Sequence, residues 1–554
     1  MRHPYDPMTV IRRCGHALVW MTLLLTTAAL LFFYQPVQIS IYDEGVMLTG
    51  ALHWLNGEMP GVDYYTTYGP LQFYLLSLLL DVSNGSLLFA RFGHALIITT
   101  PVILLATLFR PTRSVKNTSF TLVFILSSIL ASATFSAPYY PSHSLPALLA
   151  ILIVFKVHWE NKAHPLLAAL LLATILTLVF SLRPVIGILM AIGLCISIPL
   201  ECFNERFNWT KFRQRASVVF IAIAISTVLI LVIDLSTNHS VFHVLELIRN
   251  IQSQAYPVMR ALPFPRISDI TANPAKLPVF ASAYSTVAIC VVGGATYLLS
   301  LLGKIDLSAR QRTALFWLLF STALLFSLAL VRTDGPHLAP AFILSIALFY
   351  YLLQQFSTLY IKQSLRKSVS ASLLVIAALI LGFSFIIFGY KQTSLIPTIA
   401  TDCSLGVILS APDECLQTSD EQTEVLSMLD SILKPGERVF SANARHDLIY
   451  INNMAYYALS GHLPITYWAH MDPGVQTTSS VQNLIKEELK NYANINGRSI
   501  VVVADLDHKI EPNSSAISSG IHILDQYLSS CHTLYRFERS KILECKILPV
   551  AGTL

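Results

Sequence analysis

The stretch "LLAALLLATILTLVFSLRPVIGILMAIGLCISIPL" at residues 166–200 holds two apolar runs broken by a single charged residue, Arg183. Each run is close to the roughly 20 residues that a helix needs to cross a bilayer. They read as spans at about 165–182 and 184–200, joined by a tight turn that carries Arg183. Runs of the same kind recur outward in both directions, at about 16–35, 89–109, 118–136, 144–158, 216–234, 279–302, 313–331, 337–355 and 369–390. With 54% hydrophobic and only 12% charged residues over a length of 554, the composition agrees; soluble domains carry about a quarter charged residues. The fold class expected is a polytopic α-helical membrane protein of eleven spans, followed by a soluble α/β domain.

Charge placement gives an expected orientation. Arg2, Arg12 and Arg13 precede the first span. Arg110, Arg113 and Lys116, then Lys156 and Lys162, then Arg206, Lys211, Arg213 and Arg215, then Lys304, Arg310 and Arg312, then Lys362, Arg366 and Lys367 occupy alternate loops. All fall on one side if the N-terminus is cytoplasmic, as the positive-inside rule requires. The odd span count then exports the C-terminus. The first span lacks a clear small-residue cleavage site and reads as a retained anchor. A net charge of +5 spread over short loops gives no reason to expect a nucleic-acid partner.

The expected division is 1–390 for the membrane part and 391–554 for an extracytoplasmic domain. Three outer segments stand out: 36–88, 235–278 and the short "RTDGPH" at 332–337. Within the first, "YGPLQFYLLSLLL" (68–80) is apolar but short for a span, and reads as an interfacial helix started by Pro70. In the exported part, 419–437 reads as a capped helix ending at Pro435-Gly436, "RVFSA" and "RSIVVVAD" as buried strands, 479–493 as a helix, and 531–548 as a terminal hairpin. Helices alternating with strands argue for a central sheet. Cys403, Cys415, Cys531 and Cys545 allow three disulfide pairings in an oxidising compartment. Cys403–Cys415 and Cys531–Cys545 are favoured, with four buried thiols as the alternative.

The candidate chemistry starts at "SIYDEG" (40–45), just past the first span. Asp43 and Glu44 are adjacent, so they point in different directions. One can face a pocket while the other is hydrogen-bonded or paired with a cation. A carboxylate at the apolar edge of a bilayer makes a good general base for a hydroxyl. The plainer alternative is that Asp43 caps the helix that follows. Arg183 and Arg332 break the positive-inside pattern at tight outer turns. A forked, permanent cation there suits a phosphate or diphosphate, or else a lipid headgroup. Asp334 and His337 can orient Arg332, contact a sugar, or cap the next helix. Asp63 and Tyr68 lie in "DYYTTYGP", where tyrosines either stack on sugars or form the interfacial aromatic belt. The cysteines have no zinc spacing.

Taken in order, one span, "DE" at 43–44, "LNGEMPGVDYYTTYGPLQFYLLSLL" (55–79) and "RFGHALI" (91–97) resemble membrane glycosyltransferases of the GT-C fold. The likeness is greatest to the superfamily of dolichyl-phosphate-mannose protein mannosyltransferases and bacterial aminoarabinose transferases of lipid A. It covers residues 20–110 in detail and the rest in layout. "YGPLQFY" matches the family's proline segment, without the preceding lysine of the lipid A enzymes, and Arg91 matches the cation before the second span.

The resemblance implies an inverting transfer of a sugar from a polyprenyl-phosphate donor to a hydroxyl of a lipid, glycan or protein acceptor. Asp43 would be the base and Glu44 its support or an acceptor contact, with arginines holding the leaving phosphate. No cofactor is required beyond the donor. The loop has no Asp-x-Asp motif, so no obligatory metal is expected. "YYALSGHLPITYWAHMDPG" (456–474) resembles the tails of bacterial relatives, which implies an inner-membrane location with a periplasmic C-terminal domain. The competing readings are a transporter or flippase, for which mid-span charges and repeated halves would be expected, and a noncatalytic partner in envelope glycan assembly.

Overall fold

The computed structural model describes residues 20–29, 31–32, 39–66, 68–109, 124–125, 128, 141–203, 208–238, 264–273, 276–360, 419–448, 452–471, 477–505 and 518–546. Its helices are α1 (Trp20–Ala29), α2 (Asp43–Leu55), α3 (Pro70–Val82), α4 (Leu87–Ala106), α5 (Leu145–His158), α6 (Pro165–Leu182), α7 (Pro184–Phe203), α8 (Trp209–Asn238), α9 (Ile267–Ala272), α10 (Leu277–Leu301), α11 (Ala309–Val331) and α12 (Gly335–Tyr360). Seven of these, α4, α6, α7, α8, α10, α11 and α12, are long and apolar enough to cross a membrane. They match the expected spans from 89–109 and from 165 to 355. The expected spans 16–35 and 144–158 are represented by the shorter α1 and α5. Span 369–390, and 118–136 apart from 124, 125 and 128, lie outside the described residues. The chain is a helical membrane protein with a small C-terminal sheet region.

Packing follows residue size and the solvent each face meets. Trp317, Leu145, Leu149, Leu172, Met190 and Leu344 are wholly or almost wholly buried in one continuous core. Phe220, Val228 and Val232 of α8 and Leu166 and Leu167 of α6 point outward. Outward apolar side chains suit helices whose surroundings are hydrocarbon. The short α5 is packed on one face, with Leu145, Leu149, Leu152 and Ile153 at 0% exposure and Ile151 exposed.

The first outer segment forms α2 and α3, which pack on each other and on α4 and α6. Pro70 is the first residue of α3, where its missing N–H costs nothing. Gly69 ahead of it is pressed against the α6 terminus: a Cβ there would lie 2.0 Å from the Ser181 carbonyl oxygen. Asp43 is not the N-cap of α2. Tyr42 holds that position and Asp43 stands in the first turn, where the helix dipole favours a carboxylate.

The soluble domain has α13 (Asp420–Ile432), β1 (Val439–Asn443), α14 (Ala455–Ser460), α15 (Ser479–Asn496), β2 (Ser499–Ala504), α16 (Ile523–Ser529), β3 (His532–Arg536) and β4 (Ser540–Cys545). The sheet order is β1-β2-β4-β3, with β1 parallel to β2 and the other pairs antiparallel. Alternation along β2 sorts its side chains between two cores. Val501 and Val503 face Ile485 and Leu489 of α15. Ile500 and Val502 join a core with Val425 and Leu429 of α13, Tyr457 of α14 and, from the first outer segment, Val46, Met47 and Ala51 of α2. The disulfide Cys531–Cys545 closes the β3–β4 hairpin as expected; Cys403 and Cys415 lie outside the described residues.

The soluble domain is thereby fastened to α2. A Cβ on Gly45 would lie 2.6 Å from the Ala455 backbone nitrogen, so only glycine permits this helix approach. Ala455 N–H donates to the Ile41 carbonyl (3.2 Å), Thr49 Oγ1 to the Met454 carbonyl (3.0 Å) and Tyr65 N–H to the Tyr467 carbonyl (2.7 Å).

Candidate functional site

Glu44 and Arg91 form the centre of one end of the bundle. Arg91 Nε and Nη2 donate to the two Glu44 oxygens, each at 2.7 Å, and both side chains are fully buried. Ser40 N–H adds a third donor to Glu44 at 3.1 Å. This fork-to-fork geometry uses both carboxylate oxygens. Glu44 is therefore spent as a structural anion that locks α2 to α4. Asp43, half-buried, is rotated about 100° from it around the helix.

One turn on, Met47 lines a small cleft of about 20 Å3 between α2, α3 and α4 with Gln72, Leu76, His94, Ile97 and Ser144. Met47 is four residues beyond Asp43, and His94 three beyond Arg91, so each pair shares a helix face. Asp43 is not part of the cleft lining; it stands one turn before Met47 in α2. Gln72 is 4% exposed. Its Nε2 donates to the Leu182 carbonyl at 2.8 Å, while its Oε1 has no hydrogen-bond partner.

From the cleft a row of polar side chains leads to the α11–α12 turn. The His94 and His143 rings are 6.0 Å apart. His143 Nε2 donates to the Pro336 carbonyl at 3.3 Å. Burial holds this imidazole down at about 4; the bond to Pro336 opposes that shift and nearby His337 adds to it. His337 Nδ1 is 2.6 Å from Asp334 Oδ1, and Arg332 Nε donates to Asp334 Oδ2 at 2.7 Å. Burial alone would raise the Asp334 carboxyl, but His337 and Arg332 outweigh it and hold the group well below the usual range. Arg332, Asp334 and His337 are one ion-paired unit.

A second row approaches α2 from the other side. Arg183, in extended conformation between α6 and α7, lies 5.1 Å over the Tyr68 ring. Its Nη1 is buried without a hydrogen-bond partner. Tyr68 stacks at 6.3 Å on His470 of the soluble domain, and His470 Nε2 is 2.7 Å from the Tyr42 hydroxyl, next to Asp43 in the chain.

The structure brings Asp43, Glu44, Tyr68, Arg91 and Arg183 to one end of the bundle, and joins Arg332, Asp334 and His337 to them through His94 and His143. Asp63 is exposed and accepts the Met59 N–H at 2.7 Å, closing a local turn. Gln72, His94, His143 and His470 were not legible as site residues. His94 does stand three residues after Arg91 in "RFGHALI", and that spacing is the one available signal.

A further junction joins the outer loop to the soluble domain. His53 Nδ1 is 2.5 Å from Glu58 Oε2, and Arg438 pairs with Glu58 Oε1. His53 also stacks on Tyr64 at 4.0 Å. Among the described residues, ligand atoms of Asp447, His522 and Asp525 lie within 4.8 Å of one another. Arg445 and Ser518 already bond Asp447, and His446 bonds Asp525. The group reads as a tie between loops. No protein-family model matches this chain, and no curated protein matches it.

Proposed function

We propose that the protein is a glycosyltransferase of GT-C type, moving a sugar from a polyprenyl-phosphate donor to a hydroxyl acceptor on the outer face of the membrane. The observation that carries this reading is the pairing of Asp43 with its setting. A half-buried carboxylate stands one turn before Met47 of the cleft, its neighbour Glu44 is held by Arg91, and Arg183 reaches the same end of the bundle over Tyr68. A carboxylate and an arginine with an unpartnered Nη1, at the level where apolar helices end, fit a reaction between a membrane-bound phosphate ester and a polar acceptor.

In the proposed step, the acceptor oxygen forms a bond to the anomeric carbon and loses its proton to the Asp43 carboxylate. The bond from the anomeric carbon to the phosphate oxygen breaks, and the electron pair leaves with the polyprenyl phosphate. Arg183, with its unpartnered Nη1, and Arg332 stabilise the charge that gathers there. Attack from the face opposite the phosphate inverts the anomeric centre. Glu44 acts by positioning α2, not by touching substrate.

The test is transfer from a panel of radiolabelled polyprenyl-phosphate sugars in membranes holding wild type or Asp43→Asn at equal protein level. Loss of a general base lowers the rate by about 10²–10⁴-fold. Undiminished transfer by Asp43→Asn would remove Asp43 from the role. Absence of transfer from every donor would remove the reaction itself, in favour of a transporter or a noncatalytic assembly partner.

A further inference from the structure

A second polar cavity lies at the opposite end of α5. That helix starts at Leu145 beside His143 and ends at His158. Its 14 residues span about 20 Å, so its C-terminus is on the far side of the bundle from Asp334 and His337. A cleft of about 180 Å3 opens there, among the C-terminal ends of α5 and α7 and the N-terminal ends of α8 and α11.

Lys156 forms its floor at 4% exposure. Its Nζ lies 2.5 Å from Glu160 Oε1 and 3.2 Å from Glu201 Oε1. Trp317 lies beneath, its ring centre 5.7 Å from Nζ. These groups balance among themselves. The rim is richer in cations: Lys162 is exposed, Arg310 is bonded to His158 rather than to a carboxylate, and Arg215 pairs with Glu201 at 3.6 Å. Across the lining, the four cations Lys156, Lys162, Arg215 and Arg310 face the two carboxylates Glu160 and Glu201, a surplus of two positive charges.

A structural ion-pair knot needs no such surplus and no such hollow. A concave site with excess positive charge and low-dielectric walls concentrates its potential on an anion. Guanidinium and ammonium groups are the usual partners of phosphate oxygens. We infer that this cleft binds a phosphate group, seated between Arg310 and Lys162 above Lys156. Its place among the ends of apolar helices puts it at headgroup level. The phosphate is therefore that of an anionic lipid or of a soluble phosphate that reaches the same surface.

The full-length protein in neutral detergent is titrated separately with short-chain phosphatidylglycerol, short-chain phosphatidylcholine and inorganic pyrophosphate, with bound ligand counted by native mass spectrometry. Saturable binding of phosphatidylglycerol, absent with phosphatidylcholine, is expected. The variant Lys162→Gln/Arg310→Gln weakens it about tenfold or more, and Lys162→Arg/Arg310→Lys retains it. Binding of pyrophosphate with the same variant sensitivity assigns the site to soluble phosphate; binding of the lipid alone assigns it to the headgroup. Equal binding of both lipids overturns the inference. So does a lack of binding by every probe, or unchanged affinity in a glutamine variant that elutes from size exclusion like wild type.

Discussion

Replacing Arg91 by methionine keeps an unbranched side chain in the site but removes the guanidinium. The wild-type group is fully buried and gives Glu44 two hydrogen bonds of 2.7 Å. What remains in the variant is a buried carboxylate with only the Ser40 N–H beside it. Leaving one member of a buried pair uncompensated costs about 3–5 kcal/mol, whereas replacing both members by apolar groups of similar volume is often neutral. Arg91→Met alone should therefore destabilise by about 3–5 kcal/mol, and Glu44→Met/Arg91→Met should recover most of that loss. Unfolding in mixed neutral and anionic micelles, followed by tryptophan fluorescence, reads both on one scale. A double variant as unstable as the sum of its two singles would refute the pairing as the source of the effect. Transfer activity lost in the single variant and restored with stability in the double would show that Glu44 positions α2 and does not touch substrate.

The other expectations concern the joint between the membrane part and the soluble domain. Gly45→Ala should loosen it, because a Cβ 2.6 Å from the Ala455 nitrogen meets backbone, which has no rotamer to yield. The cost is about 1–3 kcal/mol, seen as faster proteolytic release of the domain, and wild-type protease resistance would contradict the close approach. The joint should also weaken in acid. Burial lowers the His53 imidazole from its usual 6.5 against the opposing pull of Glu58, while Glu58 itself lies below its usual 4.5 because His53 and Arg438 outweigh its burial. Both groups bind fewer protons when docked, so their contribution is complete above pH 6.5 and is lost as pH falls through the two lowered values. A flat protease-resistance profile from pH 8 to 4 would rule this out.

What could be read without coordinates was what repeats locally. Seven long helices announced themselves as apolar runs, and Pro70 marked the start of α3. The Cys531–Cys545 pair was legible because a hairpin brings its own ends together: His532 pairs with Glu544, which sets Cys531 beside Cys545 with 4.5 Å between Cα atoms. What could not be read was what is distant. Glu44 and Arg91 are separated by a loop and a helix, and no periodicity ties one to the other. The docking of Met454 and Ala455 on α2 crosses about 400 positions, and only Gly45 hints at it. His94 and His143 each look like isolated histidines in apolar surroundings, and it is the packing of α4 on the start of α5 that makes them neighbours.

The three letters "DEG" at 43–45 show how closely such distant contacts are specified. Successive residues of a helix are turned about 100° from one another, so these three divide the circumference of α2 among three neighbours. Glu44 turns to Arg91 of α4. Gly45 turns to the soluble domain, where even a methyl group would collide with Ala455. Both directions are filled by contacts that leave no room for a substrate. Asp43 takes a third direction, half-buried in the first turn of α2. The two walls raised by its neighbours fix the first turn of α2 against α4 and the C-terminal domain. They also explain why a residue in a helix's first turn can be held in place without a cap of its own.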